Sequence, residues 1–159
     1  MFKIIGSVIV LLSATLFGMK KYSDFFERKK TLLSLRDGSI QIENSLRCTC
    51  APLHESFLCG GDFFISAAEK ISGDSLPAEA VKETAQSLHI FKEEDIRIIE
   101  RFAEGLCAGD CKGQLANINL FIKGLEGQIS NASSELDTRG KLYVKGSILA
   151  AAAVVLLLI

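Results

Sequence analysis

The chain lacks most of the residues that would indicate catalysis. Its 159 residues include two histidines and no tryptophan, and its five cysteines contain no C-x-x-C pair. A thiol oxidoreductase uses that spacing to lower the pKa of its reactive thiol, so this class is excluded. His54 and His89 lie 35 positions apart, without the serine or cysteine context of a nucleophilic site. We therefore predict a protein that is not an enzyme and needs no cofactor.

The chain also has almost no net charge, but its charges are unevenly distributed. The net charge is −1, with 16 acidic and 8 basic residues between positions 43 and 137, and 3 acidic and 10 basic residues elsewhere. The basic residues therefore lie beside the two apolar ends of the sequence. This distribution is typical of cytoplasmic segments next to a membrane, and it argues against nucleic acid as a partner.

Two long apolar runs lie at the ends of the sequence. Residues 2–19 carry one charge, Lys3, and residues 146–159 carry none. A helix of about 18–20 apolar residues crosses a hydrocarbon core of about 30 Å. The second run reaches this length if Lys145 extends its ammonium group to the headgroups. The predicted organisation is a transmembrane helix at residues 1–19, a cytoplasmic helical bundle at 20–141 and a transmembrane helix at 142–159.

Each run has an alternative interpretation. The first also fits the opening regions of a secretory signal, although no clear A-x-A cleavage site follows it and Lys20 and Lys21 would oppose export. An exported protein would join its cysteines in disulfides, whereas a cytoplasmic domain would keep them reduced. The alternative for the second run is a buried core helix. Such a helix would need a core large enough to cover all its sides.

Basic residues flank both predicted spans and define a predicted membrane face. Each contributes on the order of 1 kcal/mol beside anionic lipids. The face consists of Lys20, Lys21, Arg28, Lys29, Lys30, Arg139, Lys141 and Lys145. Within the spans, small residues at Gly6, Ser13, Gly146 and Ala150 would permit close contact between helices.

The region between the spans shows helical spacing of apolar residues and no strand-like alternation. We predict that the first span continues as a helix to about residue 47, with a weak point at residues 37–39 where it can kink. Five further helices are predicted at residues 52–58, 62–71, 75–88, 93–107 and from about 110 into the second span. Short connections make neighbours antiparallel, and an even number returns the chain to the membrane. The predicted fold is all-α, a six-helix antiparallel bundle flanked by two transmembrane helices.

The cysteines raise one metal hypothesis. In such a bundle the turns after the first and fifth helices lie at the same end, so four thiolates would be able to hold Zn²⁺. They are Cys48, Cys50, Cys107 and Cys111. The C-x-C spacing is tighter than the usual C-x-x-C knuckle, and free cysteines often pack as small apolar residues. We therefore predict no metal site.

Two motifs carry a resemblance to a known family. P-L-H-E occupies residues 52–55, and F-A-E-G-L-C-A-G-D-C-K-G-Q occupies residues 102–114. With the basic helix after a short span and the apolar tail, they resemble the stage III sporulation protein AB family of spore-forming bacteria. Phe102, Leu106, Asp110 and Gln114 match the family's pattern, whereas Cys107 replaces a glycine. The bundle is in turn similar to the platform protein (F component) of type II secretion and type IV pilus machines, where G-D-S-L at residues 73–76 also has a counterpart.

The resemblance implies a non-catalytic part of the channel apparatus between mother cell and forespore. Its expected location is the mother-cell membrane facing the forespore, with the bundle in the cytoplasm. Its expected partners are other stage III sporulation channel proteins, including a cytoplasmic ATPase. The alternatives are a generic secretion or pilus platform protein and an exported helical binding protein with disulfides.

Seven polar or loop residues of the bundle form a predicted partner groove. They are Pro52, Leu53, His54, Glu55, Gly105, Asp110 and Gln114. For Asp110 and Gln114, which share a helical face, the alternative is a helix cap and a polar surface. For His54 it is the stabilisation of a turn.

Overall fold

The computed structural model describes residues 2–49, 52–72, 76–106 and 110–158, except for the side chains of residues 2–5, 7, 8, 10, 11, 49, 72, 157 and 158. All regular secondary structure within these ranges is helical. The elements are α1 (Phe2–Thr49), α2 (Leu53–Leu58), α3 (Asp62–Ser72), α4 (Pro77–Ser87), α5 (Glu93–Leu106), α6 (Cys111–Glu135), a π-helical turn (Leu136–Gly140) and α7 (Lys141–Leu158). The all-α prediction is confirmed, with six helices before the terminal one.

The helix boundaries agree closely with the sequence pattern. Helix α2 begins directly after Pro52, whose φ of −51° is already suited to a helix start. Helix α1 passes through residues 37–39 without interruption. Helix α6 continues into α7 as predicted, but it does so through the π-helical turn, which the sequence pattern did not indicate.

The chain forms two compact units. Met1–Lys29 and Asn131–Ile159 form the hairpin unit, and Lys30–Ser130 forms the bundle unit. Residues 20–29 and 131–141, which the sequence predicts as part of the bundle, lie in the hairpin unit of this division, and the predicted domain boundaries stay predictions.

A series of phenylalanine rings connects the helices of the bundle unit. Phe57 of α2 and Phe64 of α3 have ring centroids 5.2 Å apart, and Phe64 meets Phe102 of α5 edge to face at 6.3 Å. Phe102 then stacks on Phe121 of α6 at 4.2 Å. Such aromatic pairs contribute about 0.5–1.5 kcal/mol each beyond their buried area. Helices α2, α3, α5 and α6 therefore share one apolar core.

Two glycines let helix α1 approach the turn between α2 and α3. A methyl group at Gly38 would overlap the carbonyl oxygen of Gly60, and one at Gly60 would lie 2.6 Å from Ile42 Cδ1. Gly61 has a φ of +83°, a conformation that L side chains rarely adopt. The Gly60-Gly61 pair therefore both ends α2 and lets the backbone of α1 come close at Gly38. Gly38, which suggested a kink, has a packing role.

A buried carboxylate fixes the start of α5. Asp95 is fully buried, and its Oδ2 accepts a hydrogen bond from the Lys92 backbone N–H at 3.0 Å. This is the acidic half of a capping box, in which the third residue of the helix reaches back to the residue before it. In the sequence, Asp95 is one of three consecutive acids at the start of this helix, after Glu93 and Glu94. Only the fold distinguishes Asp95, because it turns this side chain into the core.

Among the helical residues that the structure describes, no segment combines the length and the apolar character needed to cross a bilayer. The predicted spans at residues 1–19 and 142–159 include Met1, Ile159 and side chains that lie outside the described part of the chain. The two transmembrane helices therefore stay predictions.

The contact between Gly38 and Gly60 generates a test of packing. We expect Gly38→Ala to lower the free energy of unfolding by about 1–3 kcal/mol, because the methyl group forces α1 away from the α2–α3 turn. Gly127→Ala is the matched control, since Gly127 also lies inside a helix and nothing is within 4 Å of its added Cβ. The control should stabilise the protein by up to about 1 kcal/mol. Denaturant unfolding of the full-length protein, followed by circular dichroism, measures both; equal shifts would contradict the packing role.

Candidate functional site

The two arms of the hairpin unit pack antiparallel through aromatic and small side chains. Phe25 of α1 stacks on Tyr143 of α7 with ring centroids 6.2 Å apart. Tyr22 lies against the π-helical turn, where a Cβ added to Gly140 would be 3.1 Å from its ring. The chain from residue 131 onward forms the second arm of the hairpin unit, called the returning arm. Because the arms are antiparallel, residues late in α1 lie against residues early in the returning arm.

The arms approach closely at Gly18, a small residue that the sequence pattern did not indicate. A Cβ on Gly18 would contact the hydroxyl of Ser147 and would lie 3.3 Å from the backbone oxygen of Tyr143. Among the atoms that the structure describes, none lies within 4 Å of a Cβ added to Gly6 or Gly146, the glycines expected to permit close helix contact. The close contact that the described residues show is at Gly18, nearer the basic end of the hairpin.

An ion pair joins the arms at the base of the hairpin unit. Arg28 Nη1 donates to Glu135 Oε2 at 2.7 Å, and the two side chains are 5% and 24% exposed. One residue further along α1, Lys29 Nζ donates to Ser133 Oγ at 3.0 Å. A charged pair that is largely withdrawn from water tolerates no missing partner, because the remaining charge would be left uncompensated. The pair therefore fixes the register of the arms.

A second ion pair lies on the exposed side of the π-helical turn. Lys141 Nζ donates to Asp137 Oδ1 at 2.7 Å. This hydrogen bond lowers the pKa of the Asp137 carboxyl and raises the pKa of the Lys141 ammonium. The stabilisation from Asp137 is present above the unfolded pKa of its carboxyl and is lost as the pH falls. The stabilisation from Lys141 is present below the unfolded pKa of its ammonium and is lost as the pH rises, so the pair persists at neutral pH.

The predicted membrane-face residues separate into an exposed set and a packed pair. Arg28 is buried against Glu135, and Lys29 is half-buried against Ser133. Arg28 therefore does not belong to an exposed face, because its guanidinium is already bound within the hairpin unit. The exposed residues are Lys20, Lys21, Lys30, Arg139, Lys141 and Lys145.

The first part of the predicted partner groove lies on α2. Pro52 and Glu55 are exposed, and Leu53 and His54 are half-buried. The Nδ1 atom of His54 is buried and has no hydrogen-bond partner among the described residues. An unpaired buried polar atom is costly, but this nitrogen has no exposed surface to offer a partner from outside the chain.

The second part of the predicted groove lies where α5 leads into α6, and its residues have structural roles. A Cβ added to Gly105 would collide with the side chain of Asn117, whose Nδ2 donates to the Phe102 carbonyl oxygen at 2.8 Å. Asp110 caps α6, because its Oδ1 accepts from the Gly113 N–H at 3.0 Å and its carbonyl oxygen accepts from the Gln114 N–H at 3.1 Å. The cap is the alternative that the sequence analysis had left open for Asp110.

Two of the four cysteines in the metal hypothesis, Cys48 and Cys111, lie within the described residues. Cys48 and Cys59 are exposed free thiols, and the Cys111 thiol donates to the Leu46 carbonyl oxygen at 3.7 Å. That contact brings the start of α6 beside the end of α1. Cys50 and Cys107 lie outside the described residues. Within the described ranges, no three histidine, cysteine or acidic side chains are grouped as a metal site would require.

Two residues of these sites were missed by sequence reasoning. Glu135 was treated as one more acid of the bundle, although it lies within ten residues of three cations, Arg139, Lys141 and Lys145. An acid beside a basic cluster is a signal for an ion pair, but not for a partner more than a hundred positions away. Asn117 offered no signal, because its role depends on the close approach of α5 at Gly105.

Comparison with known proteins identifies a family. The family model described as stage III sporulation protein AB matches residues 3–159. A solved structure of a stage III sporulation protein AB (SpoIIIAB) is similar with a TM-score of 0.58 and 18% sequence identity, covering 69% of this chain and 96% of that one. At this identity the likeness of the two structures shows a shared helical fold. No curated protein matches the chain.

The family match includes both motifs that carried the resemblance, at residues 52–55 and 102–114, as well as both apolar ends. It extends over nearly the whole sequence. The chain therefore belongs to the stage III sporulation protein AB family.

Proposed function

We propose that this protein is a non-enzymatic, membrane-anchored assembly component of the channel apparatus between mother cell and forespore. The hairpin unit inserts into the mother-cell membrane, and the bundle unit lies in the cytoplasm. There it couples a cytoplasmic ATPase to the membrane channel proteins. Membership in a sporulation protein family supports the setting, and the surface of the hairpin unit supports the anchor.

The observation that carries the anchor is the exposure of large apolar side chains along both arms. Leu12, Leu16 and Phe17 on α1, and Leu142 and Leu149 on α7, are between 59% and 71% exposed. Soluble monomers rarely expose contiguous apolar surface of this kind. Contact with lipid removes these side chains from water, since a fully buried leucine or phenylalanine gains about 1.5–3 kcal/mol over an exposed one.

The distribution of cations supports the orientation. Lys20, Lys21, Arg139, Lys141 and Lys145 are exposed and lie within the hairpin unit beside its apolar surface. Cations next to a span remain on the cytoplasmic side. They also attract anionic lipids, which we include among the partners.

The bundle unit supplies a surface for protein partners. Pro52 and Glu55 are exposed at the start of α2, and the ring of His54 between them is half-buried. A protein that docks there contacts these exposed groups, and the carboxylate of Glu55 offers it a charge to complement. We therefore place the ATPase contact at the α2 part of the predicted groove.

The topology of the chain tests the anchor. We expect green fluorescent protein fused after residue 75 to fluoresce, because the fusion point lies within the bundle on the cytoplasmic side. Alkaline phosphatase fused at the same position is the matched control and should be inactive. An active phosphatase would refute the proposal and favour an exported helical binding protein.

The partner surface is tested by reversing one exposed charge. We expect Glu55→Lys to lower retention of the apparatus ATPase on the immobilised full-length protein about fivefold, because a charge at an interface rim sets complementarity. Glu69→Lys is the control, since Glu69 is an exposed acid on α3, outside the groove. Equal retention by the two variants would contradict the placement of the contact.

The hairpin ion pair is tested by exchanging its charges. Arg28→Glu or Glu135→Arg alone should lower the free energy of unfolding by about 3–5 kcal/mol, and the double variant should recover part of the loss. Lys21→Glu is the control, because Lys21 pairs with Asp24 at 3.8 Å on the surface and contributes less than about 1 kcal/mol. Unfolding of the full-length protein in mild detergent measures each variant. Additive losses in the double variant would exclude a direct pair.

A further inference from the structure

A groove runs along the hairpin unit between α1 and α7. Its volume is about 850 Å³. Ala14 and Phe17 contribute to one wall, and Leu142 and Ala150 contribute to the other. Arg139, in the π-helical turn, is the first residue of the returning arm to line it.

The walls of the groove suit an apolar occupant. The two serines that line it already donate their hydroxyl protons within their own helices, Ser13 to the Ile9 carbonyl oxygen at 2.8 Å and Ser147 to the Val144 carbonyl oxygen at 2.9 Å. A polar ligand would therefore find few groups to bind along the walls, whereas an acyl chain needs none.

Arg139 gives one end of the groove a positive charge. Its side chain is exposed, and it forms no ion pair with any residue that the structure describes. Two neighbouring cations already have a carboxylate partner: Arg28 pairs with Glu135, and Lys141 pairs with Asp137. A guanidinium group binds phosphate through parallel N–H donors, so an available arginine at an apolar groove is suited to a lipid phosphate.

The length of the groove matches one leaflet of a bilayer. The segment of the returning arm from Arg139 to Ala150 rises about 16 Å, and one leaflet takes up about half of a hydrocarbon core of about 30 Å. The groove is therefore about one leaflet long, with its cation at one end.

We propose that this groove binds one anionic phospholipid of the cytoplasmic leaflet. The phosphate lies on Arg139, and an acyl chain lies between α1 and α7 against Phe17 and Leu142. The site rests on the proposed membrane insertion of the hairpin unit, and adds to it a defined lipid with a defined position. Bound there, the lipid fills the space between the arms and holds them at a fixed spacing.

The experiment compares lipid retention by variants of the full-length protein. Purified protein in mild detergent is mixed with equal amounts of phosphatidylglycerol and phosphatidylcholine, and native mass spectrometry counts the lipids retained. We expect one phosphatidylglycerol per chain. Arg139→Gln should lower the preference for phosphatidylglycerol about fivefold, whereas Arg101→Gln should leave it unchanged, because Arg101 is an exposed arginine of the bundle unit and does not belong to the cations beside the apolar surface. Ala14→Phe fills the groove and should abolish retention of both lipids.

The outcomes separate this site from the proposed function. If the reporter at residue 75 shows a cytoplasmic bundle but Arg139→Gln and Arg101→Gln retain the same lipids, the site is refuted and the anchor stands. If Ala14→Phe leaves lipid retention intact and instead reduces association between copies of the chain, the groove binds a second copy and the lipid site is refuted. Helical content by circular dichroism confirms that each variant is folded.

Discussion

The hairpin unit depends on one ion pair, between Arg28 and Glu135. These residues are separated by 107 positions, yet their side chains meet at 2.7 Å with little access to water. A largely buried arginine must have a partner, and a carboxylate beside it is held equally firmly. The pair therefore sets which residue of α1 faces which residue of the returning arm. The aromatic stacking of Phe25 on Tyr143 and the close approach at Gly18 depend on that register.

Much of the fold was predictable because its signals are local. Pro52 and Pro77 begin helices, Gly60-Gly61 ends one, and apolar residues recur at helical spacing between these points. The interactions that join helices were not predictable in the same way. The overlap of Gly38 with Gly60, and the burial of Asp95 beneath the start of α5, arise when distant segments pack together. Periodicity identifies the face of a helix, but it does not identify the residue that the face will meet.

The predicted sites illustrate the same limit. A count of charges assigned eight basic residues to a membrane face and treated Arg28 and Arg139 as equivalent, although Arg28 is buried and Arg139 is exposed. Likewise, the motif at residues 102–114 marked a junction between helices without revealing why its residues are required. Asp110 caps α6, and Gly105 leaves room for Asn117. Of the predicted groove, this leaves the exposed residues of α2 as the part suited to a partner.

Arg28 and Arg139 compete for one carboxylate, that of Glu135, and this competition explains why Arg28, rather than Arg139, is paired with it. Glu135 precedes Arg139 by four residues, a spacing at which opposite charges pair on a regular α-helix. Here it pairs with Arg28. Arg28 is withdrawn from water and loses far more than Arg139 if it is left alone, because an exposed guanidinium group remains hydrated and a surface pair contributes at most about 1 kcal/mol. Burial of Arg28 thus draws Glu135 into the hairpin. The same step leaves Arg139 available at the apolar groove, where an anionic headgroup supplies the charge that Glu135 does not.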